Sequence, residues 1–203
     1  MITIVDYGLG NLGSIVNMLK RIGVKSVIAS DGEAIARAER IILPGVGHFD
    51  RAMERIHQSG LREVLEKKAL MEKVPLLGIC LGMQLLTKGS EEGRLPGLGW
   101  IPAETVRFRF PDDSQLKIPH MGWNVVECST PSPLTDKLQG EQRFYFVHSY
   151  HARVEEERFS VLKTVYGYPF DAAIQRDNLY GVQFHPEKSH RFGMRLLDNF
   201  ARL

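Results

Sequence analysis

The sequence predicts an α/β fold: an open, mostly parallel central sheet flanked by helices, with additional antiparallel strands in the second half. Before Thr87, short apolar runs alternate with helical segments, which is typical of a parallel, doubly wound sheet. After Thr87 the sequence changes to turn-rich loops and β-like runs. The 203 residues suffice for one sizeable core and contain no linker or internal repeat. We therefore expect residues 1–203 to form a single domain.

Four strand-like runs organise the first half of the chain. They are residues 2–5, 26–29, 40–43 and 74–79, and each is short, apolar and followed by a segment with helical character. Helices are expected from the turn after the first run to about residue 22, and over 33–38, 49–57, 61–72 and 83–88. The fourth of these has Leu61, Val64, Leu65 and Ala69 on one face, so it should pack against the sheet.

The second half is richer in antiparallel strand signals. We expect short strands within 105–126 and over 143–147, 159–165, 172–176 and 179–184. Asp177-Asn178 has the composition of a hairpin turn between the last two. A closing helix is expected over 191–202, with its large apolar residues on one side.

Composition argues against a nucleic-acid-binding, disulfide-stabilised or membrane protein. The 26 basic and 24 acidic residues are scattered, so no basic stripe indicates a nucleic-acid partner. Two cysteines, Cys80 and Cys128, are too few for a disulfide framework and fit a reducing compartment. The first residues lack the features of a signal peptide, and no segment has the length and apolarity of a membrane span. We therefore expect a cytoplasmic protein with no membrane partner.

Cys80 lies at the centre of the most informative stretch, Gly78-Ile79-Cys80-Leu81-Gly82-Met83-Gln84. A buried strand is predicted before the cysteine and a helix after it, and glycines at minus two and plus two leave room for a sharp turn. This is the pattern of a nucleophile elbow, with cysteine in place of serine. A position near the positive end of a helix favours a thiolate. Taken alone, the pattern also fits a buried structural cysteine.

A glycine-rich turn after the first strand gives a competing hypothesis. Gly8, Gly10 and Gly13 spell G-x-G-x-x-G between a strand and a helix, and Asp31 ends the next strand, where a ribose-binding acid belongs. A nucleotide site is therefore an alternative. A glycine fingerprint by itself is weak evidence, because any close strand-to-helix turn favours glycine.

A catalytic cysteine needs a base and a group that orients the base. His185 follows an apolar strand, at the end where open α/β sheets build their sites, and Glu187 lies two residues on. Alternate residues of an extended segment project to the same side, so the carboxylate can reach the imidazole. His148 and His151 suggest a metal pair, but no ligand cluster completes such a site, and we expect no metal or cofactor.

Three segments together resemble class I, triad-type glutamine amidotransferases, and the resemblance covers essentially the whole chain. They are Pro44-Gly45-Val46-Gly47, the segment from Gly78 to Gln84, and Val182-Gln183-Phe184-His185-Pro186-Glu187. Four further segments are similar to the glutaminases of histidine biosynthesis within that family. These begin at Asp6, Pro44, Pro119 and Tyr145 and read DYGLGN, PGVGHF, PHMGWN and YFVHSY.

The resemblance implies a function and a set of roles. Cys80 attacks the side-chain amide of glutamine to form a thioester, His185 transfers protons, and Glu187 holds the imidazole. The N–H of Leu81 is a candidate oxyanion donor, and the family implies another from Gly45, Val46 and Gly47. It also makes Gln84 a substrate contact.

The family further implies a partner, because released ammonia must be delivered to an acceptor. We expect a heterodimer with a (β/α)₈-barrel cyclase subunit, with Asn11, Tyr145 and Lys188 at the interface. Trp123 either covers the Gly45–Gly47 loop or fills the core. An amidotransferase subunit of another pathway remains an alternative.

Overall fold

The computed structural model describes all residues 1–203, and its framework is an eleven-stranded mixed sheet. The strands are β1 (Ile2–Val5), β2 (Ser26–Ala29), β3 (Ile41–Gly45), β4 (Leu76–Cys80), β5 (Ala103–Arg107), β6 (His120–Cys128), β7 (Gln142–His148), β8 (Tyr150–Val154), β9 (Ser160–Tyr166), β10 (Tyr168–Arg176) and β11 (Leu179–Val182). The α-helices are α1 (Leu12–Arg21), α2 (Gly32–Ala36), α3 (Phe49–Gln58), α4 (Leu61–Glu66), α5 (Leu81–Leu85) and α6 (His190–Ala201). No helix has both the length and the apolarity needed to cross a membrane.

The sheet order is β2-β1-β3-β4-β11-β10-β9-β6-β7, and β5 and β8 pair beside it. The first five strands of this order are parallel neighbours, and the later pairs are antiparallel, which confirms the predicted fold class. Gly45 of β3 lies opposite Cys80 of β4, and Val182 of β11 lies opposite Ile79. The carboxyl ends of β3, β4 and β11 therefore meet at one edge of the sheet.

The hairpin between β10 and β11 confirms the predicted turn. Arg176 pairs with Leu179, and the two residues between them, Asp177 and Asn178, make the connection. Asp177 has a φ of 52°, in the left-handed region that two-residue hairpin turns require and that Asp tolerates. This turn makes β11 antiparallel to β10 and parallel to β4, and so brings the segment after β11 beside Cys80.

Two helical boundaries differ from the prediction. The segment predicted as one helix over 61–72 divides into α4 and a π-helical turn, Lys67–Met71, whose Ala69 carbonyl accepts from Asn178 Nδ2 at 2.8 Å. The helix after Cys80 ends at Leu85 instead of continuing to residue 88. It ends early because Leu98 N–H binds the Leu85 carbonyl and Trp100 N–H binds the Leu86 carbonyl. Both differences come from contacts with distant segments.

The predicted region 105–126 contains two strands, β5 and β6, and β8 was not predicted at all. β8 pairs with β5 along its whole length, from Ala103 opposite Val154 to Arg107 opposite Tyr150. Its sequence, Tyr-His-Ala-Arg-Val, alternates apolar and polar residues, so a strand signal was present but short, and the nonlocal ladder with β5 stabilises the strand.

Apolar residues on both faces of the sheet form two cores. One contains 26 buried residues and includes α3 and α4 side chains; the other contains 25 and includes those of α1 and α6. Consecutive residues of one strand belong to different cores, as Leu43 and Ile42 of β3 do. The central strands are therefore covered on both faces, which is why they read as continuous apolar runs.

Candidate active site

Cys80 is the last residue of β4 and directly precedes α5. Its φ and ψ are 55° and −110°, a strained conformation for a residue other than glycine. A β-carbon at Gly82 would lie 1.8 Å from the Leu43 carbonyl oxygen, and one at Gly78 would lie 2.6 Å from the Gly82 oxygen. The two glycines therefore allow the helix to pack directly on the strand ends, as the elbow pattern predicts.

His185 and Glu187 are both buried and form a close pair beyond the end of β11. The segment is not extended as predicted: Pro186–Lys188 form a 3₁₀ turn that begins after His185, and this turn brings the carboxylate back to the imidazole. His185 Nδ1 lies 2.8 Å from Glu187 Oε1. Nε2 of the same ring has no partner of standard hydrogen-bond geometry, and neither does Glu187 Oε2. Because the carboxylate accepts at Nδ1, Nε2 is the nitrogen left to exchange a proton.

The electrostatics of His185 reflect opposing effects. Burial lowers the pKa of His185, but hydrogen bonds and charge interactions with Cys80 and Glu187 raise it by more than burial lowers it. The net result is a pKa of about 10. The site therefore stabilises a positively charged imidazolium beside the cysteine and the carboxylate. Such a charge is what a cysteine nucleophile requires of its neighbour.

A cleft of about 350 Å³ joins these groups. Seven of the predicted site residues line it: Val46, Gly47, Cys80, Leu81, Gln84, His185 and Lys188. Gly45 lies beneath the cleft wall instead, because a β-carbon there would lie 2.7 Å from the Tyr7 hydroxyl and 2.9 Å from the Gly82 nitrogen. Gly45 is thus required for the close packing of β3 on the elbow.

Two backbone regions face the cleft with groups available to a ligand. Leu81 is the first residue of α5, so its N–H has no acceptor within that helix. Val46 and Gly47 follow β3 and are exposed, and Gly47 has a φ of +103°. The structure therefore places the predicted loop and the predicted N–H on the same cleft.

Gln84 is buried and uses both amide hydrogens inside the protein. Its Nε2 lies 3.1 Å from the Tyr150 carbonyl oxygen and 3.1 Å from Gln183 Oε1. Its own Oε1 is therefore the atom available for accepting a hydrogen bond from a molecule in the cleft.

Sequence reasoning missed Gln183 and Glu92. Gln183 is completely buried, and its Nε2 lies 3.7 Å from Cys80 Sγ. Its place in the Val182–Glu187 segment that carries the family resemblance was the available signal. Glu92 lines the cleft, and its Oε2 accepts from Phe49 N–H at 2.8 Å, but its segment reads as an ordinary loop.

The residues predicted at a partner interface lie near this edge of the sheet. Asn11 is exposed after β1 and caps α1 by accepting from Ser14 N–H at 3.4 Å. Lys188 is exposed, with its Nζ 5.8 Å from the centre of the Tyr145 ring, and His185 N–H binds the Tyr145 carbonyl. Trp123 does not fill the core: it is 45% exposed and stacks on His190 with ring centres 5.5 Å apart.

The glycine pattern after β1 lacks the structural features of a dinucleotide fingerprint. A β-carbon at Gly13 would meet no atom within 4 Å, so this glycine is not needed for close helix packing. Asp31 uses its carboxylate to cap α2, accepting from Ala34 N–H at 2.8 Å. The nucleotide hypothesis therefore loses the two features that made it specific.

Comparison with known proteins agrees with the fold. The family model for class-I glutamine amidotransferases matches residues 3–203. A solved structure described as a glutamine amidotransferase aligns over 100% of both chains with a TM-score of 0.75 and 19% identity. PurLQS from Thermotoga maritima aligns over 99% of this chain and 97% of its own, with a TM-score of 0.74 and 18% identity. At these identities, the structural likeness concerns the fold alone.

The chain belongs to the class I glutamine amidotransferase family. Within that family it is similar over its full length to subunits of one enzyme. Imidazole glycerol phosphate synthase subunit HisH 2 of Methanococcus maripaludis is 53% identical, over 100% of this chain and 99% of the relative. The subunit HisH 2 of Pseudomonas aeruginosa is 48% identical over 100% of both chains.

Proposed function

We propose that this chain is the glutaminase subunit of an imidazole glycerol phosphate synthase, acting in histidine biosynthesis. It hydrolyses glutamine to glutamate and ammonia. The observation that carries the mechanism is the buried His185–Glu187 pair, 2.8 Å between Nδ1 and Oε1, on the same cleft as a cysteine in a nucleophile elbow. The full-length similarity to HisH subunits supports the pathway.

Cys80 is the nucleophile in this mechanism. The thiol proton passes to Nε2 of His185, and the resulting thiolate attacks the side-chain carbonyl carbon of glutamine. The tetrahedral intermediate collapses by breaking the C–N bond, while His185 returns the proton to the departing nitrogen, which leaves as ammonia. Water, deprotonated by His185, then hydrolyses the thioester and releases glutamate. Glu187 keeps Nδ1 protonated throughout and stabilises the imidazolium.

The negative oxygen of each tetrahedral intermediate needs donors in fixed positions. Leu81 N–H supplies one, because it follows the nucleophile and begins a helix. The loop of Val46 and Gly47, on the same cleft, supplies the second, and Gly45 anchors that loop against the elbow. Gln84 contributes its free Oε1 to substrate binding.

The partner in this proposal is a (β/α)₈-barrel cyclase subunit in a heterodimer. It receives the ammonia and uses it on a phosphoribosylated aminoimidazole carboxamide intermediate, which yields imidazole glycerol phosphate and an aminoimidazole carboxamide ribotide. Asn11, Tyr145 and Lys188 contact that subunit. This arrangement fits their positions at the edge of the sheet where the cleft opens.

Glutamate release, measured with and without the cyclase subunit and its ligand, tests the proposal. We expect low activity from the chain alone and a marked increase in the complex. Cys80→Ala abolishes hydrolysis in both conditions and still forms the complex, whereas Cys128→Ala, which changes the exposed cysteine, retains activity.

Residual hydrolysis at the wild-type rate in Cys80→Ala would refute Cys80 as the nucleophile. Equal, high activity with and without the cyclase would contradict coupling to that partner and favour a different pathway. Saturable binding of NADH, followed by fluorescence, in a protein without glutaminase activity would favour the nucleotide hypothesis instead.

A further inference from the structure

A continuous chain of hydrogen bonds ends on the sulfur of Cys80. Gln183 Nε2 lies 3.7 Å from Sγ, and Gln183 Oε1 accepts from Gln84 Nε2 at 3.1 Å. Gln84 donates its other hydrogen to the Tyr150 carbonyl, also at 3.1 Å. Since both glutamine side chains are buried, these hydrogen bonds fix the orientation of the two amide groups.

The chain continues from Tyr150 through two histidines. His148 Nδ1 lies 2.7 Å from the Tyr150 carbonyl oxygen. A carbonyl only accepts, so Nδ1 carries the hydrogen of the neutral ring and Nε2 is an acceptor. His120 Nδ1, 3.0 Å from that Nε2, must therefore donate, and His120 Nε2 accepts from Asn124 Nδ2 at 3.3 Å. One consistent assignment of hydrogens satisfies the whole sequence of contacts.

The surroundings keep both histidines neutral and fixed. Burial lowers the pKa of His120 to about 4 and places that of His148 well below its ordinary value. The His120 ring lies between Phe146 and Tyr166, with ring centres 4.8 Å and 4.1 Å away. Phe108 lies 5.2 Å from the His148 ring. At neutral pH each ring therefore has one donor and one acceptor.

We propose that His148 is a positioning residue for the nucleophile. Its Nδ1–H fixes the Tyr150 carbonyl, which holds Gln84, which in turn holds Gln183 with its N–H directed at the Cys80 sulfur. This inference rests on the proposed role of Cys80. The consequence is a hydrogen-bond donor fixed on the sulfur in addition to the nearby charge of the His185 imidazole, and hydrogen bonds to a charged group are the stronger kind.

The test measures how fast iodoacetamide alkylates Cys80 in the full-length protein, followed by peptide mass spectrometry across a pH series. Cys128 is exposed and serves as an internal control in every sample. Gln183→Met keeps the approximate size of the side chain but has no N–H to donate. We expect alkylation of Cys80 to be about tenfold slower near neutral pH, with its pH profile moved to higher pH and Cys128 unchanged.

Two substitutions at His148 separate positioning from packing. In His148→Asn, the amide nitrogen reaches the place of Nδ1 and retains the bond to the Tyr150 carbonyl. In His148→Gln, the amide reaches the place of Nε2, so this bond is lost. We expect Asn to remain within about twofold of wild type and Gln to slow Cys80 alkylation several-fold.

Circular dichroism and thermal unfolding verify that each variant is folded. Equal rates for His148→Asn and His148→Gln would overturn the role of His148, and a wild-type rate in folded Gln183→Met would overturn the role of Gln183. If Gln183→Met fails to fold, the comparison of the two His148 variants decides. Because alkylation does not depend on glutamine turnover, these results are separate from the glutaminase assay of Cys80→Ala that tests the proposed function.

Discussion

At the scale of single residues, the chemistry of each histidine near the cleft depends on which of its ring nitrogens has a hydrogen-bond partner. His185 has a bound nitrogen at Glu187 and a free one at Nε2, and this asymmetry gives the ring a direction for proton transfer. His120 and His148 have partners on both nitrogens and low pKa values, so they stay neutral. Three histidines near one cleft thus differ in chemistry because of their hydrogen bonds and burial.

Glu187→Gln tests the orientation of the base. The amide of glutamine can donate to Nδ1, which favours the tautomer that has its proton on Nε2 and cannot accept one from the cysteine. We expect kcat for glutamine hydrolysis to fall roughly 10²- to 10⁴-fold with a smaller change in KM. Steady-state kinetics of the complex check this, with Glu141→Gln, an exposed residue paired with Arg143, as the control. Unchanged kcat would contradict the assigned role.

His120 gives a prediction for stability against pH. Its pKa is about 4 in the folded protein and 6.5 as a free side chain, so the unfolded chain binds more protons between these values. The free energy of unfolding should therefore fall as the pH drops from about 6.5 toward 4, by up to about 3 kcal/mol from this residue.

Urea unfolding of wild type, His120→Gln and His57→Gln at several pH values measures this contribution. His57 is exposed and provides the control. His120→Gln should show a shallower loss of stability on acidification than either of the other two. Identical slopes for all three proteins would exclude His120 as a source of the pH dependence.

At the scale of elements, the strand-to-helix junction of β4 and α5 explains why the sequence around Cys80 contains its glycines. The helix packs so closely on β3 and β4 that a β-carbon at Gly82 would lie within bonding range of the Leu43 oxygen. Gly13 lies in α1, and a β-carbon added there would meet no atom within 4 Å, although Gly13 is the last glycine of the G-x-G-x-x-G pattern. The two glycines look equivalent in the sequence and have opposite structural requirements.

Alanine substitutions at these two glycines should therefore change stability in opposite directions. Gly82→Ala forces the backbone of the elbow apart, and we expect a loss of roughly 3 kcal/mol or more together with loss of glutaminase activity. Gly13→Ala removes the entropic cost of glycine in a helix without creating a clash, and it should stabilise the protein by about 0.5–1 kcal/mol. Denaturant unfolding measures both. Stabilisation by Gly82→Ala would contradict the close packing.

At the scale of the whole molecule, the functional groups lie together at the carboxyl ends of the parallel strands. Gly47, Cys80 and His185 follow or end three adjacent strands, β3, β4 and β11, and the exposed Lys188 lies on the same cleft. Both apolar cores share this one sheet, and we propose that residues 1–203 form a single domain. Under the proposed function, a partner placed over this edge would receive ammonia directly from the cleft.

Lys188→Ala and Tyr145→Ala test the interface. Removing either side chain from the cleft edge should weaken binding of the cyclase subunit and reduce its activation of glutamine hydrolysis, because the pair presents a charge and an aromatic ring together. Isothermal titration calorimetry measures the affinity. Lys25→Ala changes an exposed residue directly before β2, on the opposite edge of the sheet; it is the control and should bind as wild type does. Equal affinities for all variants would place the interface elsewhere.

The sequence by itself determined the features that depend on neighbours along the chain. The apolar runs, the elbow with its flanking glycines and the Asp177-Asn178 turn follow from backbone sterics and short-range hydrogen bonds. The pairing of His185 with Glu187 was predicted, but from an extended segment, whereas a 3₁₀ turn produces it. Only the tertiary structure decided which distant groups meet. Gln84 and Tyr150 are 66 positions apart, Gln183 and Cys80 are 103 apart, and β8 has its ladder partner in the distant β5. Such contacts are selected by the packing of the entire sheet, and no local pattern encodes them.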